Sequence, residues 1–204
     1  MTPGNQGKRG REGVGEKLSP AIVFVGGIHG AGKTTVSSRL AVALSASHVT
    51  AGMLIRETAS SKASGGWSKA VSDVNANQEL LLRGLALHRR QASGPIVLDG
   101  HFSLMDPTGI VVAIPMDVYT AIAPIAIVLI EADTAVVHSR LLRRDGAAPP
   151  LATIESLSDR ERTHARAVSR ALDIPMFAVR GDIPAEEASN TAASQLLPLL
   201  CGAA

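Results

Sequence analysis

Short apolar runs alternate along the chain with polar segments punctuated by Gly and Pro. Ala21-Ile22-Val23-Phe24-Val25 is continuous, rich in β-branched residues, and ends at Gly26-Gly27. That is the pattern of a strand buried on both faces. Thr34 to Ser45 reads as a helix, and His48-Val49-Thr50 as a second, short strand. Leu80, Leu81, Leu82, Leu85 and Leu87 mark a helix over Gln78 to Gln91. Pro95-Ile96-Val97-Leu98 is a third buried strand, ending at Asp99-Gly100. Ile125 to Ile130 is a fourth, followed by a helix that Asp133 caps, that runs to Arg144 and that stops at Gly146. Ser158 to Glu161 has the form of a capping box, so the next helix is expected from there to about Leu172. Pro175 to Val179 is a fifth strand, and Pro184 to Leu200 a closing helix, interrupted at Pro198. Asp145 to Thr153, with Gly146, Pro149 and Pro150, reads as a lid loop. Thr58 to Ser72 reads as a second loop-like segment.

Strands alternate with helices throughout, and the strands are apolar runs, not alternating patterns. This predicts an α/β domain over residues 19–204, with a five-stranded parallel sheet covered by helices on both faces. Residues 1–18 combine Gly, Asn, Gln and charge without periodicity and read as a disordered basic tail.

Composition narrows the function classes. The 204 residues carry a formal net charge of +2. Lys8, Arg9, Arg11 and Lys17 against Glu12 and Glu16 put all of that excess in the tail. The neutral remainder weighs against a protein held on nucleic acid by phosphate neutralisation. Aromatic residues, at 2%, are too few for a base-stacking platform. Cys201 is the only cysteine, which excludes an internal disulfide framework and suits a reducing, cytoplasmic compartment. The polar N-terminus lacks a signal peptide's apolar core, and the longest apolar stretch, Ala121 to Ile130, is too short to span a bilayer.

Gly27-Ile28-His29-Gly30-Ala31-Gly32-Lys33-Thr34 matches G-x4-G-K-[ST], and the match lies between a buried strand and a helix. In that context the loop's N–H groups, with Thr35 opening the helix, curl around phosphate. Lys33 bridges the β- and γ-phosphates of ATP, and the Thr34 hydroxyl ligates Mg²⁺. Asp99, at the end of the third strand, is the natural carboxylate for the same metal shell. His29 occupies a variable slot of the motif and reads as a loop residue. Gly100 stands where hydrolytic P-loop motors often carry a Glu, which favours transfer to an acceptor over hydrolysis.

Three segments resemble the adenylate kinase-like P-loop family of nucleoside and nucleotide kinases. They are Gly27 to Thr35, His48 to Arg56 and Val97 to Gly100. Val128 to Asp133, Arg140 to Asp145 and Glu161-Arg162 are similar to the archaeal type of adenylate kinase. The resemblance implies a three-layer P-loop fold with strand order 2-3-1-4-5 and a short lid. It also implies an ATP-dependent phosphotransferase using Mg²⁺. Arg56 is the candidate for the acceptor's anionic group, and Gly100 and His101, just beyond Asp99, are candidates for the acceptor side, with a structural role for His101 as the alternative. This chain departs from the family there. His101-Phe102-Ser103 replaces an aromatic, a Pro and a phosphate-holding Arg, and Met53 and Ala51 replace an Asp and a Thr.

Outside the tail there are 13 Arg and 3 Lys. Arg140, Arg143 and Arg144 precede the lid loop. Arg162, Arg166 and Arg170 follow it, four apart on one helix face. Arg140, Arg144, Arg162 and Arg166 are candidates for contact with the transferred phosphoryl group, against the alternative of a solvated face paired to Asp145, Asp159 and Glu161. Lys69, Asp73 and Asn77, also four apart and followed by Gln78, favour a solvated face over a cleft. Three functions remain open: a kinase for a nucleotide monophosphate or similar small acceptor, a kinase for a hydroxyl with Asp99 as base, and an ATP-binding regulatory module with a protein partner.

Overall fold

The apolar runs become the strands of one sheet. The computed structural model describes residues 19–62, 74–105 and 110–202. At its centre β1 (Ile22–Gly26) is buried along its whole length. β3 (Ile96–Asp99) pairs with it in parallel on one side and β6 (Ala126–Glu131) on the other. β2 (Ser47–Thr50) lies outside β3, and β7 (Met176–Arg180) outside β6. The order β2-β3-β1-β6-β7 is the expected 2-3-1-4-5 once the separate hairpin of β4 (Ser103–Met105) and β5 (Val111–Ala113) is set aside.

Period-two alternation divides the sheet's side chains between two cores. Ile22 and Phe24, Ile96 and Leu98, and Ile127 and Leu129 enter one. Helices α2 (Ala51–Lys62), α3 (Val74–Gln91), α4 (Met116–Ile122) and α6 (Leu151–Leu172) cover that face. Val23, Val25, Val97, Val128 and Ile130 enter the other, under α1 (Lys33–Ala43) and α7 (Ala185–Cys201). A small third cluster joins Val137 and Leu141 of α5 (Thr134–Asp145) to Ile154 of α6.

Several boundaries differ from the sequence pattern. α6 starts at Leu151 behind Pro150, not at Ser158, so Ser158 and Glu161 lie inside the helix and cap nothing. Proline is tolerated at a helix start because that N–H needs no partner. The loop between α5 and α6 shrinks to residues 146–150. α2 runs to Lys62, so the first residues of the segment expected as a loop from Thr58 are helical. The rest of that segment, including Lys69, and Asp73 beyond it lie outside the described residues, as do residues 1–18. α7 continues through Pro198 to Cys201. The hairpin strands, of three residues each, and the seven-residue α4 are too short for any periodicity to reveal. Among the described residues no helix is long and apolar enough to cross a membrane.

Phe102, immediately before β4, locks the hairpin to the sheet. Its ring is fully buried, stacks on Tyr119 at 5.2 Å and meets Phe24 edge-on at 5.0 Å. The ring lies so close to Gly26 that a Cβ there would sit 2.2 Å from Phe102 Cε2. Phe102→Ala is expected to cost about 3–5 kcal/mol in urea unfolding, the range for emptying a fully packed aromatic site. An unchanged midpoint would show that the hairpin's anchor lies elsewhere.

Candidate functional site

The loop between β1 and α1 takes a shape that only glycine permits at its key positions. Gly27 and Gly32 have φ of 143° and 99°. A Cβ on Gly27 would lie 2.4 Å from the Ile130 carbonyl oxygen, and one on Gly32 2.9 Å from that of Gly181. Gly32 is the N-cap of α1, and no side chain caps the helix there. The first-turn N–H groups and the positive end of the helix dipole are therefore left to face an anion.

Lys33 and Thr34 open the helix. Lys33 is 7% exposed, and its Nζ donates to the Ile28 carbonyl at 3.1 Å across the loop. Burial lowers its pKa, while Asp99 and Glu161 pull it back up. The parallel register sets Asp99 beside Val25 of β1. From there its Oδ2 accepts the Thr34 hydroxyl at 2.8 Å. A hydroxyl and a carboxylate oxygen in contact, next to a phosphate loop, form a hard-oxygen donor set of the kind Mg²⁺ takes together with phosphate oxygens and water. Thr34 and Asp99 would hold the ion.

Two cavities open on either side of this centre. One, of about 500 Å³, is bordered by Gly30, Lys33, Thr34, Arg140, Arg143 and Arg144. The other, of about 350 Å³, lies on the side of β2 and α3 and reaches Lys33, Thr34, Asp99, Gly100 and His101. His29 lines both, and its ring centroid is 4.3 Å from that of His101. Burial, then Lys33 and then His29 push the His101 pKa down to about 2. Burial and Lys33 lower His29 as well. Both imidazoles are neutral at physiological pH.

The arginines separate into different roles. Arg140 Nη1 donates to the carbonyls of Gly30 and Gly181, at 3.2 and 3.0 Å, and so ties the phosphate loop to the turn after β7. Arg144 lies against the same cavity but pairs with Asp145 through two 2.7 Å bonds. Arg162 is held by Glu131 and by Asp159. Arg166 is exposed farther along α6. Arg56 is exposed on α2, its Nη1 lying 3.4 Å from the position of a Cβ on Gly52. The structure thus brings Lys33, Thr34, Asp99, Arg140 and Arg144 to one place, with Gly100 and His101 across the centre, and leaves Arg162 and Arg166 outside it. Asp133 caps α5 as expected, accepting from Ala135 and Val136.

Sequence reasoning missed the group that assembles the site. Glu161, in α6, is 2% exposed. Its Oε1 accepts the N–H of Gly27 at 3.0 Å and of Phe102 at 2.8 Å, and its Oε2 accepts that of Ser103 at 2.7 Å. One carboxylate thereby fixes the phosphate loop to the segment after β3. Burial raises its pKa, and the three donors and Lys33 oppose the rise. The signal was present in the chain: Ile154, Leu157, Glu161, Ala165 and Val168 form a helical stripe with a carboxylate at a core position.

A family model described as an AAA domain matches residues 26–158, from the end of β1 to the middle of α6. The chain belongs to the AAA domain family. Solved structures with this AAA domain's fold include a gluconokinase from Sinorhizobium meliloti 1021, at TM-score 0.56 and 17% identity, over 90% of this chain and 95% of that one. A tunicamycin resistance protein from Deinococcus radiodurans aligns at TM-score 0.59 and 20% identity, over 87% and 95%. A sugar kinase from Janibacter sp. HTCC2649 aligns at 0.53 and 15%, over 91% and 98%. At these identities the likeness establishes a shared fold. No curated protein matches the sequence significantly. The family match ends three residues before Glu161, so the residue that closes the site lies just outside the matched segment.

Glu161→Gln keeps the shape but turns an amide N–H₂ toward one of the three N–H donors. It is expected to lower stability by about 1–3 kcal/mol in urea unfolding, the cost of an unmatched buried polar group. Wild-type stability in this variant would mean that the three amides find other partners.

Proposed function

We propose that the protein is an ATP-dependent phosphotransferase that moves the γ-phosphoryl group of Mg-ATP to a hydroxyl of a small molecule. The observation that carries this reading is the Thr34–Asp99 contact at the seam between two cavities, one at the phosphate loop and one on the opposite side of Asp99. The names of two fold relatives, a gluconokinase and a sugar kinase, support a small-molecule acceptor.

The residues suggest the following chemistry. The loop N–H groups, Lys33 and the first turn of α1 bind and orient the phosphates. Thr34 and Asp99 would hold Mg²⁺, which would supply charge neutralisation for the phosphates. The acceptor oxygen bonds to the γ-phosphorus as the bond to the ADP oxygen breaks, and the hydroxyl proton passes to the Asp99 carboxylate. Arg144, exposed at the phosphate-side cavity, is placed to exchange its Asp145 partner for phosphate, while Arg140 holds the loop in register. Neutral His29 and His101 wall the seam and limit water without adding charge.

A nucleotide monophosphate acceptor would need cations on the acceptor side. Among the described residues lining that cavity, the only permanently charged cation is Lys33, and Arg56 would have to turn in from the surface. At the position where the resembling kinases carry their arginine, Ser103 has its N–H bonded to Glu161. These features favour the hydroxyl acceptor. The lone exposed Cys201 suits work in a reducing cytoplasm.

The test uses γ-labelled ATP with Mg²⁺ and a panel of monophosphates, nucleosides, sugars and a 5′-hydroxyl oligonucleotide. Label is expected in an organic phosphate ester of a hydroxyl compound. Label confined to free phosphate would sink the kinase reading in favour of a regulatory ATPase. Asp99→Asn is expected to lower kcat by about 10²–10⁴-fold at saturating Mg²⁺, the worth of a positioned base. A loss seen at low Mg²⁺ that disappears at saturating Mg²⁺ would reduce Asp99 to a metal ligand.

A further inference from the structure

A third cavity, of about 370 Å³, lies on the α5 and α6 side of the two histidines. The phosphate loop, β4, the end of α5, the loop at 146–150 and α6 all contribute to its wall. Ile28, Leu104, Met105, Ala147, Pro149 and Leu157 line it, and each is half-buried or exposed, so a ligand can reach them. Val137, Leu141 and Ile154, the third core cluster, form its floor.

The loop at 146–150 is one side of this cavity and is held there at both ends. Gly146 takes a φ of 74°, and its N–H bonds to the Leu142 carbonyl at 3.0 Å. The Pro150 carbonyl accepts the N–H groups of Thr153 and Ile154, at 2.9 and 3.1 Å, in the first turn of α6. A concave aliphatic surface left to water is unfavourable, and the apolar atoms of a ligand would release that water. The volume falls in the range of small-molecule pockets.

The position of the cavity indicates which ligand enters it. His29, His101 and Leu104 line both this cavity and the one beside β2 and α3, so the two adjoin at the histidine pair. The cavity also touches the phosphate side, through His29, Leu141 and Arg144. Among the described residues, however, Thr35, Arg140 and Arg143 line the phosphate-side cavity alone. In the kinase reading the γ-phosphate lies at the Lys33 and Asp99 end, and the rest of the nucleotide runs toward Thr35 and Arg140. The third cavity therefore opens at the end where the phosphoryl group leaves.

Building on the kinase reading, we propose that this cavity binds an apolar appendage of the acceptor, an alkyl or aryl group carried by the hydroxyl compound. The acceptor then spans two chambers. Its hydroxyl-bearing part lies beside Asp99, and the appendage passes His29 and His101 to lodge between the 146–150 loop and β4. Every CH₂ group buried there strengthens binding, so the cavity selects amphiphilic alcohols over small, fully polar ones.

The test measures binding apart from turnover. Straight-chain alcohols from ethanol to octanol are titrated into the full-length protein, with and without saturating ADP and Mg²⁺, and the Ile, Leu and Met methyl groups are followed by NMR. Shifts are expected at Ile28, Leu104, Met105 and Leu157, with Kd falling about two- to fourfold per added CH₂ until the cavity is full. Affinity that does not depend on chain length, or shifts confined to other methyl groups, would overturn the proposal. Binding is expected to persist when ADP is bound, as an acceptor site requires. Displacement of the alcohols by ADP would give the cavity to the nucleotide and overturn the proposal as well. Ala147→Trp, at an exposed loop position, is expected to fill the cavity and weaken octanol by about tenfold while ADP affinity stays within about twofold. Leu157→Phe narrows the cavity from α6 and is expected to act in the same direction. Unchanged octanol affinity in both variants would contradict the assignment of the cavity. The two claims fail separately. Label found only in free phosphate in the acceptor panel would end the kinase reading and leave an apolar ligand site. Absence of chain-length dependence would end this inference and leave the kinase reading.

Discussion

The site depends on one buried carboxylate. Glu161 projects from α6 and takes the N–H groups of Gly27, Phe102 and Ser103. A carboxylate with so little exposure is costly unless its lone pairs are filled. Here three backbone donors fill them, and those donors belong to two segments 75 residues apart in the chain, Gly27 and Phe102. Desolvation of the charge and satisfaction of the amides occur together or not at all. The phosphate loop and the segment after β3 are thus tied together by the folding of α6. For the proposed reaction this would be preorganisation, since the polar groups meeting the phosphate would need no rearrangement.

The remaining geometry follows from that anchor and from the parallel sheet. β1 and β3 end side by side, which sets the Thr34 hydroxyl against Asp99. Phe102, held through its N–H by Glu161, packs its ring over Gly26 and against Tyr119, and Tyr119 in turn donates to the His101 carbonyl at 2.9 Å. That chain of contacts fixes His101 beside His29 at the seam of the two cavities. Burial and the neighbouring Lys33 keep both rings neutral, so they shape the seam without adding charge to it. On the phosphate side the arginine-bearing end of α5 supplies positive charge. On the other side most of the cavity wall is apolar. The difference between the two sides supports the proposal that ATP occupies one and a hydroxyl acceptor the other.

Much of this was legible in the chain. The three central runs gave their strands almost to the residue, because a strand buried on both faces has no polar position to blur it. The phosphate loop was legible because glycine spacing and Lys-Thr have few other uses in that context. What escaped notice shares a physical cause. Glu161 sits in a helix whose start was misplaced at Ser158, since a capping-box pattern and a buried acid in mid-helix look alike until the partners of the acid are known. Its partners are backbone amides far away in sequence, and amides leave no trace in a side-chain pattern. Asn77 and Gln78 line the cavity beside β2 and α3, whereas the polar residues around them had suggested a solvated helix face. The arginines were visible as a group, but pairing decides their use. Glu131 and Asp159 take Arg162, whereas Arg140 is drawn onto loop carbonyls.

The central claim is that Glu161 holds the phosphate loop and the segment after β3 in place in the free protein. Amide hydrogen exchange, read residue by residue by NMR on the nucleotide-free protein, tests it most directly. The account predicts that the amides of Gly27, Phe102 and Ser103 are protected like core strand amides, and that Glu161→Ala exposes all three together while the amides of β6 stay protected. Fast exchange of these three amides in the wild-type protein, or protection that survives the loss of the carboxylate, would contradict it.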